Sequence, residues 1–292
     1  MMFRQPSVQK MMRWLDDETY LKLVYRARTG KKLDLESPQS FNEKLQWLKL
    51  HDRNPLYTTL VDKYRVKEWV ADKIGSQYVT ETYDSWEKAG DIDISRLPER
   101  FVLKTNHDSG GVVICRDRES FDLEAAKTIL NRSLRNNYYW SGREWPYKNV
   151  KPLIFAEEYL ESADGIDDLP DYKLYHFNTG HIVTCVMTER FSENGYTATY
   201  FDEEWRRLDI SDEGHETRPN IPRPARFDLM KELANRLAAD IPFVRVDFYV
   251  LKSRLLFGEM TFYSSSGFES WNPPEWDDRF GSWIKLEGAR SE

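Results

Sequence analysis

The chain has 292 residues, enough for two or three subdomains around a cleft, and a formal net charge of −7 that argues against a general nucleic-acid binder. It holds no run of about 18 apolar residues and no signal-peptide pattern at its start. Its two cysteines, Cys115 and Cys185, sit in strand-like apolar runs and read as reduced thiols rather than a disulfide scaffold. These features predict a soluble, cytoplasmic protein.

Residues 1–80 are helical in pattern. Ser40 with Glu43 three residues on forms a capping-box signature, followed by Leu45 and Leu48 at helical spacing, and Gly75 ends the next helical stretch. Two strands then flank a loop in "FVLKTNHDSGGVVIC", 101–115. "SFDLEAAKTILNRSLRN" predicts an amphipathic helix with Leu123, Ala126, Ile129, Leu130 and Leu134 on one stripe. From about 150 the chain turns to strands, with Asn178–Gly180 as a turn. After a loop rich in Pro, Gly and charge come a helix, "FDLMKELANRLAAD", and two strands, "FVRVDFYVL" and "LLFGEMTFY", joined by a short turn. Helices segregated from mostly antiparallel strands predict an α+β fold, with regions 1–80, 81–155 and 156–292.

Four features carry chemistry. Lys104 precedes Gly110 and Gly111, so neither G-x-x-x-x-G-K-[ST] nor a G-x-G-x-x-G opening a helix is present. A strand lysine beside a tip of Ser109, Gly110 and Gly111 suits phosphate oxygens, and it equally suits an ordinary hairpin. Glu157 and Glu158 end an apolar strand, with Tyr159 beyond; an adenine or ribose contact and a plain strand end both fit. Asp247 and Glu259 lie on consecutive strands of a hairpin, where two carboxylates on one face need a cation between them. Mg²⁺ suits such an oxygen set; the alternative pairs each acid with its own arginine, Arg245 or Arg254. Lys173 alternates with Tyr172 and Leu174 and reads as a second phosphate lysine or as the solvent face of a strand.

The order strand lysine, glycine loop, strand-end glutamate, late acid pair resembles the ATP-grasp superfamily. More narrowly, "FVLKTNHDSGG", "GREWPYKNVKPLIFAEEYL" and "FVRVDFYV…LFGEMTFYSSSGFE" resemble the TupA-like ATP-grasp family, associated with cell-surface polysaccharide and teichuronopeptide synthesis. The resemblance runs from about Leu48 to near the C-terminus. It implies two α+β subdomains holding ATP, preceded by a helical N-terminal region. It also implies that Lys104 grips phosphate under a loop of Ser109, Gly110 and Gly111, with Glu157 and Tyr159 along the adenine edge. Asp247 and Glu259 would hold Mg²⁺, and Arg245 would face the reacting carboxylate. The family's usual asparagine, a further metal ligand, is replaced by Thr261.

The implied activity is an ATP- and Mg²⁺-dependent carboxylate–amine ligase joining a uronic acid to an amino acid through an acyl phosphate. Three alternatives stand beside it. A glycosyltransferase would use Asp91 and Asp93 as D-x-D. A glycan-binding module would use aromatics such as Trp140 and Trp145, which cluster with Arg143 and Glu144. A kinase would share the phosphoryl step. The five histidines show no zinc spacing.

Overall fold

A computed structural model describes residues 11–108, 110–161, 169–189, 195–212, 216–218, 220–251 and 254–286. Four helices come first: α1 (Asp17–Thr29), α2 (Phe41–His51), α3 (Leu56–Val61) and α4 (Val66–Ile74). The expected capping box is present at α2, where Ser40 and Glu43 cap each other's backbone. Strands β1 (Thr82–Trp86), β2 (Phe101–Thr105) and β3 (Val112–Cys115) follow, then α5 (Leu123–Leu134), α6 (Tyr139–Gly142) and β4 (Ile154–Glu158). The remainder comprises β5 (Asp171–Phe177), β6 (Ile182–Thr188), β7 (Thr197–Phe201), β8 (Ser211–Asp212), α7 (Phe227–Leu237), β9 (Phe243–Val250), β10 (Leu255–Thr261), β11 (Trp271–Asn272) and α8 (Glu275–Ser282). The fold class is α+β, with antiparallel sheets throughout.

The chain forms two compact units, one from Met1–Asn54 with Ser162–Glu292 and the other from Pro55–Glu161. These differ from the three stretches drawn from sequence, because the N-terminal helices serve two different sheets. Phe41 of α2 packs edge-on against Phe177 and Phe243, which belong to the later strands. Tyr57 of α3 instead meets Trp145, and Lys67 of α4 bonds Glu157 on β4.

In the Pro55–Glu161 unit the sheet order is β1-β4-β2-β3. Helix α5 begins at Asp122, whose side chain accepts from Ala125 N at 2.9 Å, and buries Ala126 and Leu130 against Phe101, Leu103, Cys115 and Ile154. A fully buried leucine such as Leu130 contributes about 1.5–3 kcal/mol. Ile129, expected on the same stripe, is 46% exposed, one position off the face that meets the sheet.

In the other unit the sheet order is β10-β9-β5-β6-β7. Residues of β5, β6 and β7 are nearly all buried, which explains why these strands read as continuous apolar and aromatic runs rather than as alternation. The predicted turn at Asn178–Gly180 is present: Gly180 has φ +91° and its N–H donates to Phe177 O at 2.9 Å. The β9–β10 ladder contains one irregularity that matters for the site. Phe257 pairs with Phe248 but Met260 pairs with Val246, so an extra residue is accommodated at Gly258–Glu259. No described helix is long and apolar enough to cross a membrane.

Candidate active site

The Pro55–Glu161 unit carries a cationic cluster. On β2, Lys104 is opposite Phe155 while Val102 is opposite Glu157, so Lys104 and Glu157 are diagonal neighbours on one face. Their side chains form an ion pair. The other Glu157 oxygen accepts from Lys67 Nζ at 2.6 Å. Lys67 also donates to Thr80 O at 3.1 Å and Thr82 Oγ1 at 2.7 Å, and its ammonium lies 5.1 Å from the Phe155 ring centre. Burial alone would raise the Glu157 carboxyl pKa, but Lys104 and Lys67 together bring it below its ordinary value. Burial lowers the Lys67 ammonium against the opposing pull of Glu157. Both shifts favour the deprotonated form, which is the charged form of Glu157 but the neutral form of Lys67. With two cations on one carboxylate, the ionised Glu157 is the form the geometry supports. Lys67 was missed in the sequence because "VKEWV" signals only an amphipathic helix.

The loop after Lys104 is pinned at its base. Asp108 accepts from Thr105 Oγ1 at 2.6 Å, Ser133 Oγ at 2.5 Å and Gly111 N at 3.1 Å. These bonds hold its carboxyl below the usual range even though burial pushes the other way. The Gly111 N–H, expected to face phosphate, is therefore given to Asp108. Glycine is required there for packing: a Cβ would lie 2.0 Å from Thr105 Oγ1 and 2.4 Å from Ser133 Oγ. Gly110 is exposed, and a Cβ there would meet no described atom within 4 Å. Ser109 lies outside the described residues. His107 is buried with Nε2 3.1 Å from Asn136 O. Tyr159, just past β4, is half-buried with the Arg100 guanidinium 5.7 Å from its ring centre.

The other unit carries an acidic lattice. Lys173 on β5 is directly opposite Asp247 on β9, and Tyr175 is opposite Arg245. Lys173 Nζ donates to Asp247 Oδ2 at 2.5 Å and Asp171 Oδ2 at 2.7 Å. Arg245 grips Asp247 with Nε and Nη2, both at 2.8 Å, and its Nη2 reaches Glu259 Oε1 at 3.0 Å. Thr261 Oγ1 donates to Glu259 Oε1 at 3.4 Å. Lys173 is thus neither on a solvent face nor free for phosphate; it is a buried bridge between two aspartates. For both buried cations, burial opposes the charged form, but the surrounding carboxylates hold their pKa values above the ordinary range.

The extra residue in β10 determines whether Glu259 belongs here. In an unbroken ladder continuing from Phe257–Phe248, Glu259 would pair with Val246 and share its apolar face. With the shift, Met260 takes that place and is buried, and Glu259 turns to the face of Asp247. Gly258 permits this: a Cβ would lie 3.1 Å from the Tyr249 ring and 3.3 Å from Asp247 Cβ.

Asp247 and Glu259 both accept from one nitrogen, Arg245 Nη2, so both carboxylates aim at one point. That point is the guanidinium nitrogen itself, so both acids are paired with arginine here, while their oxygens are also of the kind Mg²⁺ takes. Among the described residues, no group of three or more His, Cys, Asp or Glu is arranged to hold a metal. Asp91 and Asp93 do not form one; Asp93 Oδ1 accepts from Ser95 N at 2.9 Å and stabilises its own loop. Trp140 packs on Arg143, its ring centre 4.7 Å from the guanidinium.

Residues 43–285 match the TupA-like ATPgrasp family. A search of curated proteins returns no match. Among solved structures, the D-alanine–D-alanine ligase of Helicobacter pylori is similar at 13% identity and TM-score 0.46, over 85% of this chain and 70% of that one. The Bacillus anthracis D-alanine–D-alanine ligase complexed with ATP is similar at 13% identity and TM-score 0.42, over 70% and 55%. The ATP-grasp ligase PsnB complexed with minimal precursor, Mg and ADP is similar at 9% identity and TM-score 0.41, over 88% and 65%. The chain spans less than two thirds of the last two proteins. By the match over residues 43–285, the chain belongs to the TupA-like ATP-grasp family.

Proposed function

We propose that the protein is an ATP- and Mg²⁺-dependent carboxylate–amine ligase acting in the cytoplasm. The observation that carries this reading is that Asp247 and Glu259 share one face of the hairpin and both accept from Arg245 Nη2. Family membership supports ATP as the nucleotide. The family's association with surface polysaccharides supports a uronic acid and an amino acid as the two partners.

In this reading Lys104 and Lys67 exchange their shared partner Glu157 for phosphate oxygens. Two cations on a rigid sheet and helix offset the charge that spreads over the transferring phosphoryl group. Asp247 and Glu259 would hold Mg²⁺, with the Thr261 hydroxyl standing where the family has asparagine. When bound, the ion would supply positive charge that offsets the charge of the phosphates. Burial raises the Asp247 carboxyl pKa; the Arg245 guanidinium and the Lys173 ammonium oppose that rise, and Lys173 fixes the carboxylate's direction. Arg245 orients the substrate carboxylate, one oxygen of which attacks the γ-phosphorus while ADP departs. The amine then attacks the acyl carbon, phosphate leaves, and the amine proton passes to solvent. Glu157, Tyr159, Gly110 and Ser109 remain candidates for the nucleotide edge and loop.

An ADP-release screen of uronic acids against amino acids tests the proposal. Release that needs both partners is the expected result. Release with the acid alone would make the protein a kinase, and no release with any pair would sink the reading.

A further inference from the structure

The segment after β10 is backbone-strained. Ser265, Ser266 and Gly267 have φ of +46°, +59° and +67°, three successive left-handed residues of which two carry a Cβ. A non-glycine residue in this region is strained and persists only where its surroundings impose it.

Helix α2 imposes it. Asn42, Gln46 and Lys49 lie on one helical face, and all three are buried. Lys49 Nζ donates to Ser266 O at 2.8 Å and to Ser266 Oγ at 3.3 Å. Gln46 Nε2 donates to Gly267 O at 2.7 Å and Ser266 O at 3.2 Å. Asn42 takes both backbone groups of Glu269, donating to its carbonyl at 2.9 Å and accepting from its N–H at 2.8 Å.

This clamped segment ends in two side chains that reach the acidic lattice. Ser264 Oγ donates to Glu269 Oε1 at 2.5 Å and accepts from Arg245 Nη1 at 3.4 Å. Tyr175 OH, on the strand beside Arg245, donates to Glu269 Oε1 at 3.4 Å. A serine hydroxyl has one proton. With that proton committed to Glu269, the Ser264 lone pairs accept from Arg245 Nη1 and from Tyr175 OH, 3.2 Å away.

We propose that Glu269, acting through Ser264, is a positioning residue for Arg245. Asp247 fixes one edge of the guanidinium through Nε and Nη2, and Ser264 fixes the other through Nη1. The strained turn and its α2 clamp keep Ser264 and Glu269 in register with each other. The effect on turnover rests on the ligase reading; the effect on the guanidinium does not.

The test uses the full chain labelled with ¹⁵N-arginine, with the Arg245 signals assigned by Arg245→Lys. In Ser264→Ala and Glu269→Ala the Nη1 resonance shifts and its protons exchange with water at least about tenfold faster, a change of ~1.4 kcal/mol, while Nε is unchanged. Glu269→Gln, whose amide oxygen still accepts, keeps the wild-type signal. With glucuronate and each amino acid in turn, the kcat for ADP release falls at least about tenfold in the two alanine variants, and affinity for a nonhydrolysable ATP analogue with Mg²⁺ stays within about twofold. A wild-type Nη1 signal in both alanine variants overturns the inference, whatever turnover does. If the wild-type chain releases no ADP with any pair, the ligase reading falls, and the Nη1 comparison still decides this one.

Discussion

The two units each hold a charged cluster, and the clusters are built in opposite senses. On the β1-β4-β2-β3 sheet, two lysines share one carboxylate. On the β10-β9-β5-β6-β7 sheet, Asp171, Asp247 and Glu259 share Lys173 and Arg245. The first cluster gathers two ammonium groups around one buried carboxylate, and the second gathers three carboxylates around a lysine and an arginine. They also differ in depth. Lys104 is 29% exposed and can let go of Glu157, whereas Lys173 is locked between buried aspartates. A lysine in a strand next to acids is therefore not enough to identify a phosphate ligand; its partner count and burial decide.

Removing each lysine gives the widest separation. Lys173→Met leaves Asp171 and Asp247 without their shared cation and should cost about 3–5 kcal/mol of stability, the usual penalty for breaking a buried pair. Urea unfolding measures it; a loss no greater than that of Lys104→Met would erase the distinction between the clusters. Glu259→Gln should keep the fold, since this side chain is 37% exposed, yet reduce Mg²⁺-dependent turnover by at least about a hundredfold, ~2.7 kcal/mol. Steady-state kinetics with a Mg²⁺ titration checks it, and near-normal turnover would remove the acid pair from the proposed chemistry.

Lys104→Met should weaken binding of a Mg²⁺–ATP analogue by at least about tenfold, ~1.4 kcal/mol. Calorimetric titration reads this directly, and unaltered affinity would leave the first cluster without a role. The smallest expected effect concerns pH. The folded-state pKa of Glu157 lies below its ordinary value, so its contribution is present above the unfolded-state pKa and is lost as pH falls through the folded value. The stability gap between wild type and Glu157→Gln should hold at neutral pH and close in acid. A gap independent of pH would mean that the ion pairs contribute nothing.

Much of this was legible in the residues. Lys104, Glu157, Asp247 and Glu259 stand out because charges at the ends or within apolar strands need partners, and Ser40 with Glu43 announces a helix start. Three things were not legible. Lys67 reaches Glu157 from a helix 90 residues earlier, a contact that only the tertiary fold creates. Gly111 looks like a phosphate-facing glycine, but Asp108 claims its N–H through a carboxylate three residues back. Asn42, Gln46 and Lys49 carry no signal of their own in the sequence; they are buried against backbone carbonyls that no hydropathy pattern encodes.

The extra residue at Gly258–Glu259 makes the hairpin sensitive to counting rather than to chemistry alone. Closing the irregularity at constant length, so that Glu259 paired with Val246, would conserve every charged residue yet send Glu259 into the layer where Val246 and Phe248 are buried. Deleting Gly258, by contrast, would leave Glu259 opposite Asp247 and Met260 still opposite Val246, so the acid pair tolerates loss of the extra residue but not a slip of the ladder past it.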